Sequence, residues 1–414
     1  MTIKHIIILG GGPCGLSAAI ALAKASTKAA PLRVTLLEIR PSLQTIGGTL
    51  NVTPLCLRYL DYLGVGDRLR ARGISLDSGL DYISMRTGKR IGNIWGGIGG
   101  IRAVRHDLVE SLLITATEDY SDHIQIRWGS RVTEISETQD AITATLSNGS
   151  KVAGDILLGA DGLHSTVRRR YVDPSRQDAF TGRVIAMGWH EGGKEPKLSD
   201  GMPMLRDTVV VSTRTGVLLA SYYEPTRTKT YFAHISYADE PSGDARDGWK
   251  LLGEDQIALK REVVECYADG QVAGLSDVVA ECDSWHLWPV YILPGEGRWF
   301  RGRALLLGDA AHAMPPQGES TGLAIEDGVL LAHVFSRRET RTVEQLFTDF
   351  EALRKPVIDT HYNNATWAME HGFGKRSWFG TIVFEWAVWV YLLLRRWGQE
   401  KHFAGDVRDL ELPA

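Results

Sequence analysis

The chain has 414 residues, 44% of them hydrophobic and 23% charged, with a formal net charge of −4. That length exceeds one ordinary core and predicts two domains, or one large α/β body with an inserted layer. Mild acidity without a Lys/Arg stripe excludes nucleic acid as a partner, and four scattered cysteines (Cys14, Cys56, Cys266, Cys282) without a CxxC pair exclude a zinc knuckle or disulfide framework and point to a reduced, cytoplasmic setting.

The first element lies in "HIIILGGGPCGLSAAIALAKAS". His5 to Leu9 is a continuous apolar run, which is how a buried parallel strand reads. No cleavage-site pattern follows it, so it is a strand and not a signal peptide. Gly10, Gly12 and Gly15 form G-x-G-x-x-G before an Ala-rich helix, and "LRVTLLE" supplies a second strand ending at Glu38. Gly10 permits the tight turn, Gly12 lets backbone approach a pyrophosphate, and Gly15 lets helix and strand pack closely. The helix start offers free N–H groups and a positive dipole end. Glu38 can accept hydrogen bonds from ribose hydroxyls. This context predicts a dinucleotide site but does not separate NAD from FAD.

Further along, "GNIWGGIGGIR" is glycine-rich but lacks the strand–turn–helix context of a second fingerprint. "DILLGADGLHSTVRR", Asp155 to Arg169, reads as a buried strand, an Asp-Gly turn and basic helical sequence. Between Arg170 and about Pro294, "GRVIAMGWH", "TVVVSTRTGVLLASYYE" and "KTYFAHISYA" cluster β-formers and predict an inserted, largely antiparallel sheet. Period two puts Arg183, Ile185, Met187 and Trp189 on one face of their strand, and Tyr231, Ala233, Ile235 and Tyr237 on one face of theirs. Which face meets a ligand stays open at this point.

"GRALLLGDAAHAMPP" ends another strand in a Gly-Asp pair, and a short loop then opens a helix. His312 is expected to be a hydrogen-bonded turn residue. Last comes "WFGTIVFEWAVWVYLLLRRW", Trp378 to Trp397, apolar but interrupted by Glu385. It is borderline in length for a membrane span. The expectation is a helix packed on the body or on a second copy, with a helix lying on a membrane surface as the alternative.

The N-terminal glycines, the Asp-Gly turn and the Gly-Asp turn form a three-part pattern. Through it the chain resembles the class A FAD-dependent monooxygenases, whose fold is shared by p-hydroxybenzoate and salicylate hydroxylases, and it is similar to the fungal members of secondary metabolism. The resemblance implies an α/β fold: a Rossmann-like FAD-binding domain (1–170 and 295–360), an inserted, mainly antiparallel β-sheet substrate domain (171–294) and a C-terminal helical region (361–414). It implies FAD as cofactor, NADPH or NADH as transient co-substrate and dioxygen as oxidant. A flavin C4a-hydroperoxide would hydroxylate or epoxidise an aromatic, polyketide, terpenoid or alkaloid substrate. A flavin-dependent reductase or dehydrogenase without oxygen insertion, and a non-catalytic lipid carrier on the same fold, are the alternatives. The C-terminal apolar helix leaves room for a peripheral membrane contact or a homodimer.

Residue by residue, the resemblance implies that Gly10, Gly12, Gly15 and Glu38 hold the adenosine and pyrophosphate side. Gly48 lies near the FAD, and Arg105, in "IRAVRHDLVESLL", reaches its flavin side. Asp161 and Gly162 serve FAD and the visiting nicotinamide. Asp309 contacts the ribityl chain, and Gly318, Thr321 and Gly322 turn N–H groups toward the flavin pyrimidine edge. Arg183 is the candidate polar contact to substrate, and Pro315 stiffens the turn beside the ring. No metal site is expected. The chain departs from the family where the usual Gly-Gln-Gly-Ala-Asn becomes Gly-Glu-Ser-Thr-Gly. A carboxylate against reduced flavin would oppose its negative charge. Glu319 is therefore expected to point away, capping the helix or pairing with a cation.

Overall fold

A computed structural model describes residues 3–45, 47–192, 194–242, 245–372, 375–396 and 398–413. Trp397 lies outside the described residues. At the centre is a six-stranded sheet in the order Phe300–Arg301, Ala304–Leu306, Ile156–Gly159, His5–Leu9, Arg33–Leu37, Ile124–Arg127, parallel except at the first pair. Ile6, Ile7 and Ile8 are fully shielded, because layers cover both faces of their strand and every side chain must be apolar.

Two helices cross beside this sheet. Pro13–Lys24 starts with Pro at its first position, where the missing N–H costs nothing. Ser320–Val334 packs against it closely: a Cβ added to Gly328 would lie 2.6 Å from the Ala18 backbone nitrogen. The strands Thr49–Val52, Ile101–Val104 and Ile74–Ser75 form a small antiparallel sheet.

A second large sheet has seven strands, in the order Trp285–Ile292, Ala179–Glu191, Lys229–Tyr237, Val217–Tyr222, Thr208–Ser212, Leu80–Ser84, Lys89–Ile94. It is antiparallel except where Thr208–Ser212 runs parallel to Leu80–Ser84. Its last two strands come from the N-terminal part of the chain, not from the 171–294 insertion. One face carries Phe232, Ala186, Leu218, Ala220, Val209 and Val211 and is sealed by Leu259, Val263, Tyr267, Val278 and Val279 of the helices Gln256–Ala268 and Leu275–Ala280. On the opposite face Met187, Tyr231 and Ala233 form a small cluster with Ile185, Trp189, Leu219 and Tyr223.

The helix Val343–Gly372 runs unbroken past residue 361 and is followed by Trp378–Arg396. The remaining chain returns to the body. Arg58 donates to the carbonyls of Phe403 and Gly405, and the Val407 amide donates to the Tyr59 hydroxyl.

Candidate cofactor and substrate site

The glycine turn is built by mutual exclusion of side chains. Gly10 has φ +106°, and a Cβ there would lie 2.3 Å from the Ala160 carbonyl oxygen. A Cβ on Gly15 would lie 1.9 Å from the Gly10 carbonyl oxygen, so strand and helix touch only because both residues are glycine. Gly12 differs: a Cβ there would meet nothing within 4 Å, so its side of the turn is open. Glu38 is buried and ties the turn to the second strand, accepting from the Gly11 amide at 2.7 Å and the Arg40 amide at 2.9 Å. Each carboxylate oxygen retains accepting capacity.

Arg105 and Asp309 come together from distant parts of the chain. Arg105 opens the helix Arg105–Ile114, its amide donates to the Gly48 carbonyl at 3.0 Å, and its stem passes Gly47. Asp309 opens the turn Asp309–His312 after Gly308, whose φ is +56°. Both side chains reach solvent. Even so, the surrounding protein lowers the Arg105 pKa; Asp309 raises it and Arg40 lowers it further. Arg105 is thus solvent-accessible yet closely surrounded by protein, with Asp309 among the charges acting on it. Asp161 accepts the Thr166 amide at 2.6 Å through one oxygen, while its other oxygen is buried without a partner. Burial raises its pKa, against the Ser165 hydroxyl and the Thr166 and Val167 amides. Beside it Gly162 has φ +77°, and a Cβ there would meet nothing within 4 Å. A buried orphan acceptor and two glycines facing open space fit a hydroxyl-rich, phosphate-bearing cofactor such as FAD.

Behind Asp309 lies a buried polar network. The Gly308 amide donates to Asp327 at 2.7 Å, and His312 Nε2 shares a 2.7 Å hydrogen bond with the same oxygen. Arg354 donates to Asp327 and to Glu326, each at 2.6 Å, and the Tyr59 hydroxyl donates to Glu326 at 3.0 Å. His312 is thus a hydrogen-bonded turn residue.

Pro315 is buried, Pro316 exposed, and Gly318 takes φ +86° facing Trp95 and Asn51. The helix starts at Ser320, so Thr321 and Gly322 lie in its first turn, with no side-chain cap. Their N–H groups are among those a helix cannot satisfy internally. Glu319 does not cap. Its carboxylate accepts from His402 Nε2 at 3.0 Å and lies 3.5 Å from His361 Nδ1.

The Tyr231 face of the seven-stranded sheet, which the helix Trp378–Arg396 overlies at Leu80–Ser84 and Lys89–Ile94, meets this cleft at its central strands. A Cβ on Gly48 would lie 2.1 Å from the Tyr231 ring, so that ring rests directly on the Gly48 backbone. Behind it is a residue that the sequence reading passed over. Arg102 is 3% exposed and donates to Asn51 Oδ1 at 2.6 Å and to the Thr49 hydroxyl. Its Nε has no partner, and its Cζ lies 5.9 Å from the Tyr231 centroid. Burial pushes its pKa down to about 10, with Tyr231 raising it and no carboxylate acting on it. Arg168 and Arg354, buried more deeply, have carboxylates within reach, whereas Arg338, 5% exposed, donates among the described residues only to the carbonyls of Phe335 and Ala30. An Arg inside the short apolar strand "IRAV" was the available signal. Arg183 lies on the same sheet face, its guanidinium stacked 3.5 Å from the Tyr237 centroid.

Two other features stand apart. A surface hollow of about 420 Å³ is lined by Leu57, Arg58, Tyr62, Arg70 and Arg408, none of which belongs to the cleft. His106, Asp107 and Glu110 bring ligand atoms within 4.8 Å of one another, but Arg72 pairs with both carboxylates.

The sequence profile of a family described as "FAD binding domain" matches residues 4–365. An FAD-dependent monooxygenase of Nectria sp is 29% identical over 385 residues, covering 89% of this chain and 84% of that protein. Salicylate hydroxylase of Pseudomonas putida is 26% identical over 377 residues, covering 85% and 81%. Among solved structures, Klebsiella pneumoniae HpxO complexed with FAD and uric acid superposes with a TM-score of 0.74 at 23% identity, covering 93% of this chain and 92% of its own.

Proposed function

This chain belongs to the FAD-binding-domain family, and from that premise we propose that it is a monooxygenase using NADPH or NADH and dioxygen to place one oxygen atom on an aromatic small molecule. One observation carries the reading: the open glycine turn, the orphan Asp161 oxygen and the neighbouring Arg105 and Asp309 adjoin the Tyr231 face of the sheet, on which the helix Trp378–Arg396 lies over Leu80–Ser84 and Lys89–Ile94 and leaves Tyr231 against Gly48. Bound FAD supplies the hydride acceptance and oxygen activation that no side chain here provides.

The chain's own residues bind, orient and exclude water. Gly10, Gly12 and Gly15 admit the pyrophosphate to the start of Pro13–Lys24, where N–H groups and the helix dipole favour phosphate. Glu38 accepts from a ribose hydroxyl, Asp309 from the ribityl chain, and Asp161 and Gly162 serve the middle of the cofactor. Arg105 and Gly48 line the flavin side. Gly318, Thr321 and Gly322 aim N–H groups at the pyrimidine edge. Arg102 places a fixed positive charge behind Tyr231 to favour negative charge arising in the cleft, where low dielectric strengthens the effect. With Glu319 held by His402, its carboxylate does not cancel that charge.

Met187, Trp189, Tyr231 and Pro315 form apolar walls that keep water from the reacting atoms. Arg183, held on Tyr237, is the polar contact to substrate. Residues 1–170 and 295–360 hold the cofactor, 171–294 wall the substrate together with Leu80–Ile94, and 361–414 brace the flavin loop and the sheet edge through His402, Gln399 and Glu385. Salicylate and urate, in the names of two relatives, are planar rings. A polyketide, terpenoid or alkaloid ring would suit the same wall. The enzyme works in the cytoplasm, and its apolar C-terminal helix meets a bilayer surface or a second copy.

The test is incubation of the purified yellow protein with ring substrates, each nicotinamide and ¹⁸O₂. Accelerated NAD(P)H oxidation with one labelled oxygen in the product is expected. Oxidation without label in any product would replace this reading by a reductase.

A further inference from the structure

The helix Trp378–Arg396 has two unlike sides. Thr381, Glu385 and Leu392 point inward and are buried, following helical spacing. Glu385 hydrogen-bonds the Ser84 hydroxyl and pairs with Arg86 at 2.6 Å, while Leu392 fills the space left by Gly92. The opposite side is open and apolar: Trp378 is 60% exposed, Phe379 69%, Trp386 65% and Leu394 61%, with Val383, Trp389 and Leu393 also exposed. Monomers rarely leave so continuous an apolar patch uncovered unless it contacts something.

Three features decide what it contacts. The helix's single carboxylate is turned into the protein, so the outward side carries no negative charge. Exposed cations, Lys375 and Arg395, stand at its two ends. Trp and Tyr are abundant, as in segments that rest at headgroup level. A two-fold partner copy would set cation against cation with no acid on the helix to relieve them. An anionic bilayer satisfies both the apolar side and the end charges. The helix does not span, since its inner side is pinned to the sheet and the chain after it returns to Tyr59 and Glu319.

We propose that Trp378–Arg396 is a docking surface for an anionic lipid bilayer, lying in the interface with Trp378, Phe379, Trp386 and Leu394 in the acyl boundary. Lys375 also lies 6.0 Å from the Tyr237 ring, on which Arg183 stacks. The bilayer therefore meets the enzyme beside the open sheet face. A substrate that partitions into lipid would have a short route to that face.

The experiment floats full-length FAD-loaded protein with vesicles of phosphatidylcholine alone or with phosphatidylserine. Two accessible cations at about 1 kcal/mol each predict about tenfold or greater preference for the phosphatidylserine vesicles. The F379D/W386D variant should lose at least about tenfold of that binding, while FAD content and NAD(P)H oxidation without vesicles stay unchanged. Failure of wild-type protein to float on either vesicle overturns the proposal, as does equal flotation on both. Flotation that survives F379D/W386D overturns it too. A vesicle-free dimer that the variant dissolves, seen by sedimentation equilibrium, would assign the face to a second copy instead.

Discussion

Arg354→Met should unsettle the cofactor turn from behind. Arg354 is 1% exposed and gives charged hydrogen bonds to Asp327 and Glu326 and a third to the Leu323 carbonyl at 2.8 Å. Its removal leaves two buried carboxylates with one donor fewer each: Asp327 keeps Gly308 and His312, and Glu326 keeps Tyr59. Breaking a buried ion pair from one side costs about 3–5 kcal/mol. For 414 residues the unfolding entropy is roughly 0.9 kcal/mol/K, so the melting temperature should drop by about 3–6 °C. Calorimetry of FAD-saturated protein measures this. The double variant Glu326→Gln, Arg354→Met leaves one carboxylate and should recover roughly half the loss. A single variant within about 1 °C of wild type, or a double variant that melts below the single, would refute the charge reasoning.

Three further outcomes follow from the cleft. Gly12→Ala should fold and melt normally as apoprotein, because nothing lies within 4 Å of its Cβ, yet bind FAD weakly; Gly15→Ala, with a 1.9 Å clash, should lose both stability and flavin absorbance. Arg102→Gln should weaken the preference for reduced over oxidised FAD by about tenfold, lowering the two-electron midpoint potential by about 30 mV, and Arg102→Lys should restore most of it; an unchanged potential at full occupancy would remove Arg102 from the site. Burial holds the His361 pKa below its ordinary value, Glu319 raises it, and His402 and Arg354 lower it. The unfolded chain therefore takes up a proton near pH 6.5, before the folded one does. Stability is full above that pH and declines as pH falls toward the folded pKa. Glu319→Gln lowers that pKa further and prolongs the decline, so a gap between variant and wild-type melting temperatures that stays constant from pH 7.5 to about 5.5 would contradict the coupling.

Local features were legible in the sequence because their causes are local. The strand, glycine turn, helix and second strand lie within His5 to Glu38, with Gly10 and Gly15 leaving no room for a side chain and Gly12 facing open space. The Gly-Asp turn was visible for the same reason. Period two sorted the sheet strands into faces, but only the placement of Gln256–Ala268 and Leu275–Ala280 shows that the Phe232 side is sealed, while the Tyr231 side is overlain by Trp378–Arg396 at Ser84 and Gly92 and meets Gly48 at its centre. Arg102 was missed because alternation says nothing about whether a buried cation will find a carboxylate. The expectation that Glu319 turns from the flavin and pairs rests in the structure on His361 and His402, remote positions brought near by the helices. Leu80–Ser84 and Lys89–Ile94 joined the seven-stranded sheet through a parallel pairing that no short window reveals.

The tail that follows the apolar helix sets an order of assembly. His402 holds Glu319, Gln399 accepts from the Trp95 amide beside Gly318, and Arg58 grips the backbone of 403–405. Chains fold from the N-terminus as they emerge from the ribosome. The glycine turn can therefore form early, while the loop around Gly318 waits for residues translated near the end. A nascent chain would meet the adenosine half of its cofactor well before it could close on the ring.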